Sequence, residues 1–199
     1  MQAGAAVLTL ERRPEARRGP KLVADGVLAM LIFVFTEAML FAGLISAHAI
    51  VRAQAAGMWP PYGQPRLPAE ETALNTAALL VSGAVLLVAH FAYRRAPSRA
   101  LLPLLVATLL GAFFVVFQGV EWVALLREGL TLRSSTYGSF FYLIVGAHAL
   151  HAVAALAAMA WACARLFAGR LRASELGAVQ VFWYFVVLVW PVLYVKVYL

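Results

Sequence analysis

Charged residues, cysteine and histidine are all scarce in this 199-residue chain, and each scarcity excludes a kind of protein or site. Charged residues make up 13% of the chain, against about 25% in a typical soluble domain. The single cysteine, Cys163, excludes an intrachain disulfide and a metal site built from several thiolates. The four histidines are spread along the chain. The sequence therefore predicts neither a soluble globular domain nor a metal site within this chain.

Long apolar runs occupy most of the sequence, which is 64% hydrophobic. A helix needs roughly 20 apolar residues to span a bilayer, and five runs reach that length, at 27–51, 72–93, 100–126, 137–166 and 176–199. Helices satisfy their own backbone hydrogen bonds, which the lipid interior requires. The sequence therefore predicts an all-α polytopic membrane protein, with a five-helix transmembrane domain over residues 25–199.

Basic residues are distributed unequally between the two predicted sides of the membrane. The first 24 residues lack the apolar core and cleavage site of a secretory signal, and we interpret them as a basic cytoplasmic tail. Eleven of the 16 basic residues lie on the predicted inner side: Arg12, Arg13, Arg17, Arg18, Lys21, Arg94, Arg95, Arg99, Arg165, Arg170 and Arg172. This bias predicts a cytoplasmic N-terminus and an outside C-terminus. It also accounts for the net charge of +7 without a nucleic-acid partner.

Glu37 lies near the middle of the first apolar run. At 1.5 Å per residue, it is about 18 Å along the helix from Asp25, which is close to the membrane midplane. Ionisable groups at that depth face protein or water rather than lipid. Two hypotheses remain open for Glu37. It is either a carboxyl linked to proton movement, or a neutral carboxyl that donates a hydrogen bond to a neighbouring helix.

Two pairs of polar residues are predicted in the outer half of the membrane. Gln118 and Glu121 lie three residues apart in the third run, and His148 and His151 lie three residues apart in the antiparallel fourth run. The histidines could ligate a metal or form hydrogen bonds between helices. No third ligand lies at their depth, which favours the hydrogen bonds. Matching depth makes Glu121 and His148 the expected contact.

Several short motifs follow one another in the order seen in a known family. The chain over about residues 27–198 resembles subunit III of the haem-copper oxidases, in its short five-helix form. The motifs that carry the resemblance are "FTEAMLFAG", "WPPYG", "LNTAALLVSG", "QGVEW", "YGSFFYLIVGAHALHA" and "VFWYFVVLVWPVLYV". In the last helix the family commonly has a His and an Asp where this chain has Tyr184 and Val187. The roles of that His and Asp are therefore not transferred.

The resemblance implies a non-catalytic accessory subunit of a terminal oxidase in the bacterial plasma membrane. Such a chain binds no haem or copper itself, because both lie in partner subunits. It packs mainly against the catalytic subunit I, alongside subunit II and other oxidase subunits, and it supports proton uptake and sustained turnover. It also holds phospholipid in a cleft between its helix bundles, which we predict between helices 1–2 and helices 3–5.

The resemblance and the residues together give a set of expected roles. Glu37 is the carboxyl of the proton path or of helix packing. Gln118, Glu121, His148 and His151 are expected to make interhelical polar contacts, with Glu121 bonded to one of the two histidines. Guanidinium groups bind phosphate in a bidentate manner, so Arg165 is the first candidate for a lipid headgroup, followed by Arg94 and Arg170.

Two other functions fit parts of the same sequence. The first is the related accessory subunit of a nitric oxide reductase. The second is a small proton-coupled transporter that uses Glu37, although the sequence lacks the inverted repeats and paired broken helices of such transporters.

Overall fold

The computed structural model describes residues 23–55 and 57–199. Within those ranges the chain forms five long helices and no β-strand. The helices are α1 (Asp25–Gln54), α2 (Ala69–Arg95), α3 (Leu101–Arg127), α4 (Thr136–Phe167) and α5 (Ala173–Leu193). All five are long and apolar enough to cross a membrane, which confirms the predicted fold class. The predicted basic tail lies outside the described residues except for its last two positions.

The helices extend beyond the apolar runs into polar sequence at several ends. Helix α2 begins at Ala69, three residues before the predicted run, because Glu70 and Glu71 stabilise its first turn against the helix dipole. A 3₁₀ turn over Pro97–Ala100 leads into α3, and a π-helical turn over Tyr194–Tyr198 continues α5.

Four helices form a ring, and the first helix lies outside it. Helix α2 packs against α3, α3 against α4, α4 against α5, and α5 against α2. Helix α1 packs mainly on α5 and slightly on α4, and its buried residues are Phe41 and His48. The largest side chains at the centre of the ring are Trp183, Trp190, Phe114, Phe141, Leu79 and Leu86. Helix α5 is accordingly the most buried span and α1 the least buried.

The helix pairing assumed for the predicted lipid cleft is wrong. A cleft between helices 1–2 and helices 3–5 requires α1 and α2 to form one unit apart from α3. Instead, α2 packs more extensively on α3 than any other two helices pack on each other, and contact between α1 and α2 is marginal in the described part of the chain. The reason is the face of α2 that carries Asn75, Ser82 and Gly83, which is buried toward α3 and α5.

Small residues set the closest approaches within the ring. A Cβ at Gly111 of α3 would overlap the Trp183 ring of α5, and a Cβ at Gly83 of α2 would lie 3.0 Å from Cγ1 of Val187. These two glycines let α2 and α3 approach α5 closely, as small residues commonly do in membrane helix bundles.

Candidate functional site

Glu37 of α1 and His151 of α4 form a close polar contact across the helix interface. Nε2 of His151 lies 3.1 Å from Oε2 of Glu37. Both side chains are mostly buried, with 20% of the Glu37 side chain and 12% of the His151 side chain exposed. The structure thus places an acid near the middle of α1 against a basic partner on a different helix.

The other ring nitrogen of His151 is held by its own helix. Nδ1 lies 2.7 Å from the carbonyl oxygen of Ala147, one turn earlier in α4. The imidazole is also surrounded by aromatic rings, with Phe41, Phe182 and Phe185 meeting it edge-on. These contacts hold the ring in one orientation relative to Glu37.

His148 is buried among aromatic rings rather than bonded to Glu121. Its ring lies 4.9 Å from that of Trp190 and makes edge contacts with Phe41 and Phe114. Neither of its nitrogens has a hydrogen-bond partner within the described residues. The expected Glu121–His148 contact is therefore wrong: His148 packs level with Phe114 and Trp190, whereas Glu121 lies about two helical turns further along α3.

Glu121 belongs to a separate polar cluster that joins α2, α3 and the end of α5. The Thr72 hydroxyl lies 3.1 Å from Oε2 of Glu121. Nε2 of Gln118 donates to Oε2 of Glu121 at 2.8 Å and to the Tyr198 hydroxyl at 3.1 Å. The amide of Asn75 donates to Oε1 of Gln118 at 3.4 Å. Gln118 and Glu121 thus make polar contacts between helices, but with partners other than the histidines.

Sequence reasoning missed the contribution of α2 to these contacts. Thr72, Asn75, Thr76 and Ser82 are all buried: Asn75 and Thr76 follow Thr72 by three and four residues, and Ser82 follows Asn75 by seven, which places all four on one helix face. That periodicity of small polar residues within an apolar run is the signal that could have identified them. A further contact, His90 Nδ1 to Gln180 Oε1 at 2.9 Å, joins α2 and α5 near the other end of the ring.

The three arginines proposed for lipid headgroups lie in different surroundings. Arg165 contacts the carboxylate of Glu175 at 3.1 Å, donates to the carbonyl of Arg170 and lies over the Trp161 ring. Arg94 and Arg170 are exposed near helix ends. An internal carboxylate already compensates the charge of Arg165, so Arg94 and Arg170 are better placed to attract an external phosphate.

Metal-ligating residue types do not converge in the described ranges. No group of three or more His, Cys, Asp or Glu residues between positions 23 and 199, position 56 aside, is arranged to hold a metal ion. His48 packs against Trp59 and Phe140 near the C-terminal end of α1, and His90 lies toward the opposite end of the bundle.

These features define a multi-pass helical membrane protein in which several polar side chains within the spans contact one another across helices. The chain belongs to the cytochrome c oxidase subunit III family, whose family model matches residues 18–199. It is 34% identical over 200 residues to a probable cytochrome c oxidase subunit 3 of Nocardia farcinica, covering 95% of this chain and 93% of that protein. A probable subunit 3 of Mycobacterium leprae is 34% identical, with 90% and 88% coverage. The subunit 3 of Neurospora crassa is 32% identical over 86% of this chain, which covers 66% of that longer protein.

The family match confirms the resemblance drawn from the sequence motifs. It makes the chain one subunit of an oxidase complex that contains further subunits. It also favours the oxidase hypothesis over a nitric oxide reductase subunit or a free-standing transporter.

Proposed function

We propose that this chain is the accessory subunit III of a bacterial terminal oxidase in the plasma membrane. It packs mainly on the catalytic subunit I, together with subunit II, and those subunits carry the haem and copper. The bacterial relatives support this location, and the scattered histidines support an accessory role. In this proposal the chain carries no catalytic centre itself and supports the stability and the proton supply of the complex.

We further propose that Glu37 supports proton uptake and sustained turnover in the catalytic subunit. The observation behind this proposal is that Glu37, in the interior of the first apolar helix, lies 3.1 Å from His151 and is still one-fifth exposed. Helix α1, which carries it, is the least buried of the five spans. A partly exposed, hydrogen-bonded acid on an outlying helix is within reach of a partner subunit, and intramembrane acids of this kind commonly mark proton paths.

Replacing Glu37 with Gln tests this role, because the substitution keeps the size of the side chain and removes its exchangeable acid proton. We expect Glu37→Gln to assemble with full haem content and then to show lower steady-state turnover or faster inactivation during turnover. The matched control is Glu121→Gln, the same change at a second buried carboxyl, which should keep both properties of the wild type. Wild-type turnover and lifetime of Glu37→Gln from neutral to alkaline pH would falsify the proposed role.

Phospholipid binding is the second element of the proposal. Exposed Arg94 and Arg170 near the predicted inner ends of the helices offer guanidinium groups at the depth of lipid phosphates. Anionic headgroups are attracted to such basic rims. We assign Arg165 a smaller role in binding the headgroups because its guanidinium group contacts the carboxylate of Glu175.

A further inference from the structure

We propose that Glu37 and His151 hold one proton in common, and that the Ala147 carbonyl fixes the imidazole tautomer that makes this sharing possible. The proposal concerns the protonation of the pair itself. It therefore stands whether or not the pair serves proton uptake in the complex.

The tautomer follows from the contact on the α4 side of the ring. A carbonyl oxygen only accepts hydrogen bonds, and it lies 2.7 Å from Nδ1 of His151. Nδ1 must therefore carry a hydrogen. In a neutral imidazole the second nitrogen is then an acceptor, and that nitrogen, Nε2, is the one that faces Glu37.

The contact on the α1 side then needs one more hydrogen. If Glu37 were a carboxylate beside this neutral tautomer, two acceptors would face each other across 3.1 Å. One added proton resolves the conflict in either of two forms. Glu37 is a carboxylic acid that donates to Nε2, or His151 is an imidazolium that donates to the carboxylate.

Both forms have zero net charge, and one proton transfer interconverts them. The O–H bond at Oε2 of Glu37 breaks as the N–H bond at Nε2 of His151 forms, and the ring does not need to turn. Loss of the proton, or gain of a second one, would leave a net charge in an apolar setting. That setting includes Phe41, Phe182 and Phe185, and burying an unpaired charge is costly. One shared proton is therefore the arrangement that leaves this contact both satisfied and neutral.

Nitrogen NMR of the intact oxidase with ¹⁵N-labelled histidine, in lipid, tests this inference. The difference between wild type and His151→Gln assigns the His151 signals. If His151→Gln does not assemble, the difference between wild type and His151→Asn assigns them, so that the assignment does not depend on Glu37→Gln. We expect Nδ1 to be protonated and Nε2 to be strongly hydrogen-bonded.

The variants then distinguish a proton shared by Glu37 and His151 from a contact that only holds the two helices together. Glu37→Gln should shift the Nε2 signal to that of an unprotonated acceptor and leave the Nδ1 signal in place. Glu121→Gln, the matched control, should shift neither signal. An unprotonated Nδ1 in the wild type, or an Nε2 signal that Glu37→Gln does not move, would overturn the proposal.

Discussion

Ser82 shows how one small hydroxyl can join three helices. Its oxygen donates to the Ala107 carbonyl of α3 at 2.7 Å and accepts from the Trp183 indole of α5 at 3.1 Å. Thr76, further toward the other end of α2, accepts from the Trp190 indole at 2.8 Å in the same way. Polar contacts of this kind fix which helices are neighbours, because a buried indole N–H without an acceptor destabilises the fold.

Removing the Ser82 hydroxyl should weaken the bundle measurably. Ser82→Ala leaves the buried Trp183 N–H without its acceptor, so we expect a loss of about 1–3 kcal/mol of stability. The measurement is thermal dissociation of the subunit from the solubilised complex. The matched control is Ser46→Ala, since Ser46 is exposed and bonds only to the Ala42 carbonyl of its own helix. Equal melting of the two variants would contradict the assigned role of Ser82.

The ends of the helices follow from local sequence more than from packing. Gly129 after α3 and Gly169 after α4 adopt positive φ angles of 91° and 66°, a backbone conformation that glycine tolerates and that commonly ends helices. Ser135 begins α4 by accepting a hydrogen bond from the Gly138 amide, as is typical of N-cap residues. The positions along the helices where they touch each other are set instead by the small residues inside them.

Two glycines of α3 should respond differently to an added methyl group. In Gly111→Ala the new Cβ overlaps the Trp183 ring, which its hydrogen bond to Ser82 holds in place. We expect a loss of about 1–3 kcal/mol, the usual penalty for overpacking. In Gly119→Ala the new Cβ meets no described atom within 4 Å, so stability should be unchanged or slightly raised. Thermal dissociation of the two variant complexes compares them, and similar losses in both would contradict the close approach of Gly111 to Trp183.

At the scale of the whole molecule, α1 and the ring helices all expose large apolar side chains, and they differ in what they bury. The ring buries its polar clusters between α2, α3 and α5, whereas α1 exposes large apolar side chains over most of its length, among them Leu28, Ile32, Phe35, Met39 and Ile50. The C-terminal ends of α1 and α5 lie together, since Arg52 donates to the carbonyl oxygen of Leu199 at 3.1 Å. Spans that alternate in direction bring the C-terminal ends of the first and fifth helices to the same side of the membrane, and this contact agrees with that arrangement.

The orientation of these spans in the membrane stays a prediction, and reporter fusions can test it. The basic residues predict a cytoplasmic N-terminus and place the chain end at Leu199 outside. A periplasm-active reporter fused after Leu199 should be active, and the same reporter inserted between α4 and α5 at Gly169 should be inactive. The reverse pattern would show the opposite orientation.

Retention of anionic phospholipid should depend on the exposed inner arginines. We expect native mass spectrometry to find lipid on the mildly delipidated complex, and to find less on Arg94→Gln/Arg170→Gln because two phosphate-binding guanidinium groups are lost. Arg127→Gln, a change at the predicted outer side, serves as the control for general loss of basic charge. Unchanged lipid in the double variant, or an equal loss in the control, would rule out the proposed headgroup positions.

The sequence by itself determined the five spans and the family. Bilayer thickness imposes the length of an apolar run, and the helical rise converts a position in the chain into an expected depth. These relations predict Glu37 near the middle of its span, and Gln118 and Glu121 toward one end of theirs.

Only the tertiary structure decided which of these residues meet. Depth leaves open the direction in which a side chain points and the order of helices around the ring. His148 packs on Trp190, whereas Glu121 contacts Thr72. The partner of Glu37 is His151, because α1 lies on the α4–α5 side of the ring. Helix rotation and neighbour order arise from the packing of all five helices at once, so no single run of sequence encodes them.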